Sequence, residues 1–338
     1  MKKYNPKSFI MRCLYCYQPL SEKEVDYHPA CCRKIFGTPT PPLLPYDESQ
    51  MNDLALKIVQ SQVAVTGVQP KLSLHLADGG QKKDPKRFTI VGLWGNYILK
   101  PPTKIYPEMP EVEDLTMHLA AIAKIDVVPH SLIRLQSGEL AYITKRIDRI
   151  KEQKMHMEDM CQLTERLTEH KYNASHEQIG KAIVKYSANP GLDMVNFAEI
   201  ILFSFLVGNA DMHLKNFSLL YNDPVSGPVL SPAYDLLSTA LVNPSDDEDL
   251  ALTLNGKKKK LKSKDFEAAF NTLKLDARQQ ANIFAKMERV KPKWIEFIRI
   301  SFLSPGFKEN YIQLINERFD RLKVSLLHTS DDSGSSDQ

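Results

Sequence analysis

The sequence has no long hydrophobic run. Its longest, Ile200 to Val207, contains Ser204 and is under half of the ~20 apolar residues that cross a bilayer. No membrane contact is expected. It has no excess of one charge either: 44 Lys and Arg stand against 41 Asp and Glu, a formal +3. Such a balance is too mild to wrap nucleic acid or recruit an acidic substrate by its field alone. Cysteine is scarce and clustered, with four of the 5 before residue 33. A secreted disulfide scaffold would spread its cysteines along the chain, so a reducing, cytoplasmic home is expected. The start MKKYNPKSFIMRC is basic but lacks the apolar region and small-residue cleavage site of a secretory signal. There is no internal repeat and no GxGxxG. What is present is an ordinary globular composition, 43% hydrophobic and 25% charged over 338 residues. That supports a sizeable core, in two domains or one bilobal unit with an appendage.

Four prolines in TPTPPLLPYD (38–47) predict a stiff extended connector and a boundary. From 58 to 100 the chain alternates like β-structure, with turn residues at Gly67 and Asp78-Gly79-Gly80. In 111–124, Val112, Leu115, Leu119 and Ile122 recur at helical spacing behind an acidic first turn. Two strand-like stretches follow, VVPHSLIRLQ and ELAYITKRI. From about 157 the pattern turns helical, through MEDMCQLTERL, EQIGKAIVKYS, DMVNFAEIILFSFLVG and 276–290. A β-rich half followed by an α-rich half predicts an α+β chain with two lobes.

The richest stretch is NADMHLKNFS, 209–218. It leaves an almost wholly apolar helix and concentrates Asp211, His213, Lys215 and Asn216 in six positions. So many polar groups beside a core need each other, a ligand or a metal. Asp235 follows in SPAYDLLST. Phosphoryl transfer calls for this set: a carboxylate to take the proton of the attacking hydroxyl, oxygen ligands for Mg²⁺, and a cation near the phosphates. Asp211 fits the base, Asn216 and Asp235 the metal ligands, and Lys215 the neutralising cation. The D-x₄-N spacing is common by chance, and a self-capped polar loop is the plain alternative; the second Asp and the apolar flanks favour the catalytic reading. Upstream, Gly67 in VTGVQPK could let backbone approach a phosphate, although a β-turn is the default there. Lys100 ends an apolar strand, and Glu113 in the next helix is a candidate ion-pair partner.

The stretches VTGVQPKLSL, YILKPP, YITKRIDR, HMEDMCQL, NADMHLKNFSLL and LSPAYDLLST resemble the HipA-like serine/threonine kinases of bacterial toxin–antitoxin modules, over about residues 58–325. The resemblance implies a bilobal protein-kinase-like α+β fold that binds ATP and Mg²⁺. The N-lobe would span 46–150 and the helical C-lobe 151–328, after a Cys/His knuckle and linker (1–45) and before a disordered tail (329–338). It implies Lys100 as the ATP-phosphate lysine with Glu113 in the helix beside it. Thr66, Gly67 and Lys71 fall in the Gly segment at the nucleotide. Lys145, Arg146 and Ile147 fall at the adenine hinge, Asp148 near the ribose, and His213 close to nucleotide. Asp211 becomes the catalytic base, and Asn216 and Asp235 the metal ligands. Known members phosphorylate aminoacyl-tRNA synthetases and pair with a helix-turn-helix antitoxin, through which alone DNA is reached.

Two departures sharpen the expectation. Only about 60 residues precede the Gly segment, which resembles the short kinases of split modules, where a small separate protein supplies the N-terminal subdomain. The family's autophosphorylated serines are replaced: the run reads Ala64-Val65-Thr66-Gly67, so Thr66 is the expected autophosphorylation site. A small-molecule kinase of the same fold and a non-catalytic regulatory pseudokinase are the alternatives. The Lys257 to Lys264 run would support the latter, but it lacks aromatics and follows the acidic run Asp246 to Asp249.

Cys13, Cys16, His28 and Cys31 form C-x₂-C-x₁₁-H-x₂-C. Thiolates and an imidazole at this spacing suit a tetrahedral structural zinc, with Cys32 an alternative to Cys31. The other reading is a set of small buried hydrophobes. Cys161, alone on an expected helix, reads as core.

Overall fold

In the computed structural model, residues 11–47, 50, 71–78, 84–91, 95–150, 153–221 and 226–328 are described, with side chains through 323. Thr66, Gly67, the β-pattern expected before residue 71 and the 329–338 tail lie outside them. The chain divides into two compact units, Met1–Ile105 with Pro129–Arg146, and Tyr106–Val128 with Ile147–Gln338. The sequence boundaries at 45 and 150 are thus not the divisions of the contacts. The Cys/His head goes with the sheet, and the 109–122 helix goes with the helical unit.

The first unit is a five-stranded antiparallel sheet, in the order β2-β1-β3-β5-β4. Its strands are β1 (Leu72–Ala77), β2 (Arg87–Ile90), β3 (Tyr97–Lys100), β4 (His130–Arg134) and β5 (Leu140–Lys145). The head contributes helix α1 (Pro29–Phe36), which Pro29 starts and Gly37, at φ 73°, ends. Phe36 packs edge-on against Tyr27 and Phe88, with ring centroids 5.5 and 5.8 Å apart. Phe88 meets Tyr97 at 5.3 Å. The Tyr97 hydroxyl donates to the Ile35 carbonyl at 2.9 Å. Helix α1 therefore closes a core that the short strands could not close alone.

Both sheet edges are covered. On β2, Leu43 of the proline-rich stretch exchanges backbone hydrogen bonds with Lys86 and Phe88 at 2.8 and 2.9 Å. That stretch is more than a connector. On β4, the head's Leu14 carbonyl accepts from Leu132 N–H at 3.3 Å. Unpaired strand edges invite intermolecular pairing, and these contacts occupy them.

The second unit begins with α2 (Met109–Ile122), close to the expected helix. It holds the hairpin β6 (Arg149–Ile150) and β7 (Gln153–Lys154), and the three-stranded sheet β10-β9-β8 of β8 (Met157–Asp159), β9 (Ser218–Leu220) and β10 (Val229–Leu230). Its helices are α3 (Met160–Leu163), α4 (His176–Tyr186), α5 (Pro190–Leu206), α6 (Thr239–Val242), α7 (Ser263–Thr272), α8 (Ala277–Arg299) and α9 (Pro305–His328). The helix expected from residue 157 is corrected. Met157 to Asp159 pair with Leu220 to Ser218, and the helix is only the single turn α3. Asp159 is its N-cap, in a capping box with Gln162 (3.0 and 2.9 Å), so helical backbone cannot begin earlier. Helix α8 runs past the expected 290, through Pro292. Trp294 on it donates to the Leu119 carbonyl at 2.8 Å, and Tyr311 of α9 bonds Thr116 at 2.8 Å. These contacts hold α2 in the helical unit. Cys161 is buried, as expected of a core thiol.

Candidate active site

Helix α5 is the deepest in its unit; every residue from Phe197 to Ala210 is buried. The chain leaves it through Gly208 at φ 68°. A Cβ there would lie 2.8 Å from the Leu314 side chain and 2.9 Å from Ala240, so only glycine fits. Asn209 Oδ1 then accepts from the Asp211 N–H at 3.2 Å. Thr239 accepts from Ala210 N–H at 2.8 Å and donates to the Gly208 carbonyl at 3.2 Å. These bonds tie the loop backbone from inside, while the side-chain nitrogens Asn209 Nδ2 and His213 Nδ1 are buried with no hydrogen-bond partner among the described residues.

The Asp211 carbonyl is the hub. It accepts the Asn216 side-chain N–H at 2.9 Å and the His213 backbone N–H at 2.8 Å. A single 3₁₀ turn, Leu214–Asn216, makes this possible by bringing Asn216 back over the loop. With its Nδ2 committed, Asn216 has its carbonyl oxygen left as a hard donor. Asp235 supplies a carboxylate, the other ligand type Mg²⁺ favours, so the residues present fit that ion. Asp235 sits at φ 56° in the left-handed region, a conformation that non-glycine residues hold at a cost and that clusters at functional sites. Its neighbour Tyr234 ties it to the loop, donating to the Lys215 carbonyl at 3.0 Å and bonding Ser218 at 2.5 Å. Tyr234 is an acid weakened first by burial and then by the charges of Asp235, Asp159 and Asp148. Three carboxylates thus act on one buried hydroxyl.

The Asp211 carboxylate accepts from the Tyr172 hydroxyl at 2.6 Å. Burial, then the Asp211 charge, pushes the Tyr172 pKa up, so it stays a donor. The His213 ring lies edge-on to Tyr172 at 5.0 Å. Burial lowers the His213 pKa to about 4, and it is neutral at pH 7. Lys215 meets Asp159 at 2.6 Å, which fixes its ammonium beside the loop. Asp148 pairs with Arg149.

The predicted site residues divide between the units. Glu113, Ile147, Asp148, Asp211, His213, Lys215, Asn216 and Asp235 belong to the second; Glu113 is fully buried in α2. Lys71, Lys100, Lys145 and Arg146 belong to the first. Lys100 is buried at the end of β3 with its ammonium 5.3 Å over the Tyr142 ring. Lys71 is exposed, as is Lys145 at the end of β5. Arg146 N–H donates to the Asn96 carbonyl at 2.8 Å. Sequence reasoning missed Asp159, Tyr172 and Tyr234. The D-x-x-Q of 159–162 could have marked Asp159 as a cap; nothing local marks Tyr172.

In the head, the ligand atoms of Cys13, Cys16, His28 and Cys31 all lie within 4.8 Å of one another. The His28 Nδ1 is 3.4 Å from the Cys16 sulfur and 3.8 Å from that of Cys31.

The described residues thus form an antiparallel-sheet unit and a helical unit, the latter carrying the Asp-x₄-Asn loop and Asp235. Residues 63–294, over half of the chain, match the family described as HipA-like C-terminal domain. The chain belongs to that family. It is 33% identical over 216 residues to the provisionally named kinase Y4mE of Sinorhizobium fredii, covering 61% of this chain and 47% of that one. It is 37% identical over 190 residues to the provisionally named kinase Y4dM of the same organism, covering 52% and 45%. A provisionally named kinase of Haemophilus influenzae is 32% identical over 193 residues, covering 54% of each. The chain thus spans about half the length of these curated relatives. Among solved structures, the fold is similar to HipA in the Shewanella oneidensis MR-1 complex of HipA, HipB and operator DNA. The TM-score is 0.64 at 20% identity, covering 84% of this chain and 72% of that one. It is also similar to the Helicobacter pylori proinflammatory kinase CtkA, with a TM-score of 0.52 at 15% identity, covering 78% and 98%.

Proposed function

We propose that this chain is an ATP- and Mg²⁺-dependent serine/threonine protein kinase, the toxin of a toxin–antitoxin module. One observation carries the reading. Asn216 bonds the Asp211 backbone at 2.9 Å, so a metal-ligand amide and a candidate base are held in one rigid turn beside a buried helix. Asp211 orients the acceptor hydroxyl and takes its proton, and Lys215, steadied by Asp159, balances charge on the phosphoryl group. Asn216 and Asp235 would hold Mg²⁺, which would supply charge neutralisation at the phosphates. Lys100 and Glu113 would serve the ATP phosphates, and Lys145 to Asp148 the adenine and ribose. Neutral His213 donates or accepts one hydrogen bond near the nucleotide without adding charge.

The acceptor class is an aminoacyl-tRNA synthetase, with autophosphorylation at Thr66. The partners are a helix-turn-helix antitoxin, a small N-subdomain-like companion, or both. The presence of HipB and operator DNA with the Shewanella HipA supports a partner of the first kind. The test is phosphate transfer from γ-labelled ATP to purified synthetases and to the chain itself. Asp211→Asn and Asp235→Asn are each expected to lose on the order of 10²–10⁴ in rate. Transfer that survives Asp211→Asn overturns the assignment.

A further inference from the structure

The kinase reading leaves the Cys/His head without a role, although the head supplies core to the first unit. We infer that Cys13, Cys16, His28 and Cys31 bind one Zn²⁺, and that this ion staples the head over the edge strand β4.

The geometry is that of a tetrahedral site. Zn–S bonds of about 2.3 Å and Zn–N bonds of about 2.0 Å set ligand atoms roughly 3.5–3.8 Å apart. The imidazole nitrogen lies 3.4 and 3.8 Å from two sulfurs, and all four atoms fall within 4.8 Å. The far ring nitrogen, Nε2, lies 3.0 Å from the Pro19 carbonyl. A proton on Nε2 satisfies that carbonyl and leaves Nδ1 as the lone pair facing the thiols, the orientation a metal-binding histidine needs.

The structure also separates Cys31 from Cys32. The next position on the helix turns away from the cluster. Cys32 is wholly buried and lies outside the group of four. Cys32 is core.

The ligands bracket the residues that seal β4. Leu14, between Cys13 and Cys16, accepts from Leu132 N–H at 3.3 Å and from the Ser131 hydroxyl at 3.2 Å. Tyr27, next to His28, donates to the Leu132 carbonyl at 2.5 Å. Asp26 pairs with Arg134 at 3.0 Å. A segment this short orders poorly without a staple, so fixing its four ligand positions fixes its grip on the strand.

The experiment uses the full chain, purified from zinc-supplemented cells without chelator. Metal analysis is expected to find one zinc per chain. Cobalt substitution is expected to give the visible bands of a tetrahedral thiolate site. Cys32→Ser keeps the zinc, whereas Cys31→Ser and His28→Gln lower its retention against a competing chelator at least tenfold. Amide exchange at 130–134 is expected to accelerate when zinc is stripped from the wild-type chain, which needs no variant to fold. Zinc well below half an equivalent with no tetrahedral cobalt spectrum overturns the site. Zinc lost in Cys32→Ser but kept in Cys31→Ser overturns the ligand set. Unchanged exchange at 130–134 after zinc removal overturns the staple.

Discussion

Tyr172 shows how much one side chain can add to a site. Its hydroxyl donates to the carboxylate oxygen of Asp211 at 2.6 Å, the position that an acceptor hydroxyl takes in the proposed reaction. A hydrogen bond to a charged group contributes more than a neutral one, so an incoming hydroxyl must displace a sound interaction. Tyr172→Phe removes the competitor and keeps the ring that meets His213. The acceptor KM is expected to fall roughly fivefold, for about 1 kcal/mol, in a phosphate-transfer assay. A raised KM would instead make Tyr172 a positioning residue. The loop that carries Asp211 and Asn216, and Asp235 after it, were legible because D-x₄-N and a following Asp are local patterns. Tyr172 was not, since its link to Asp211 crosses 39 positions and depends on how the turn after α3 folds back.

At the scale of elements, the acidic and basic runs of 246–264 make a clamp. Asp249 is buried and accepts from Arg318 and Arg321 of α9 and from Leu261 N–H, the last at 2.9 Å. Both guanidinium groups also stand over the Phe205 ring of α5, at 5.0 and 5.4 Å. The loop thereby joins the last helix to the deepest one. Asp249→Ala strands two arginines beside an apolar ring and is expected to cost about 3–5 kcal/mol, read as a lower urea midpoint. A midpoint within error of wild type would show that the pair is solvated. Helix α2 and helix α5 were legible from their spacing. Strand β8 was not, because MEDMCQL has a helical pattern and only the pairing of 157–159 with 218–220 overrides it.

For the whole molecule, the near-zero charge has structural consequences. Lys257, Lys258 and Lys259 each have an acidic partner, Asp265, Glu248 and Asp247. Three of the four lysines in the contiguous run 257–260 are therefore paired within their own unit, which weakens the field the run offers to phosphates. The chain alone is expected to bind duplex DNA no tighter than the non-specific range, about 10⁻⁴–10⁻⁶ M at physiological salt, by fluorescence anisotropy. Sequence-specific binding by the isolated chain would refute an antitoxin-mediated route. Among the described residues no helix is long and apolar enough to cross a membrane.

The sequence by itself determined the α+β class, the main helices, the loop that carries Asp211 and Asn216, and the cysteine spacing. These are local: periodicity, a turn and a motif are set by neighbours in the chain. The tertiary structure alone decided that the head packs with the sheet, that the proline-rich stretch and Leu14 close its two edges, that Cys31 rather than Cys32 joins the cluster, and that Tyr172 reaches Asp211. Each depends on residues far apart in sequence. Such contacts form only once burial of Phe36, Phe88 and Tyr97, or of α5, has brought their elements together.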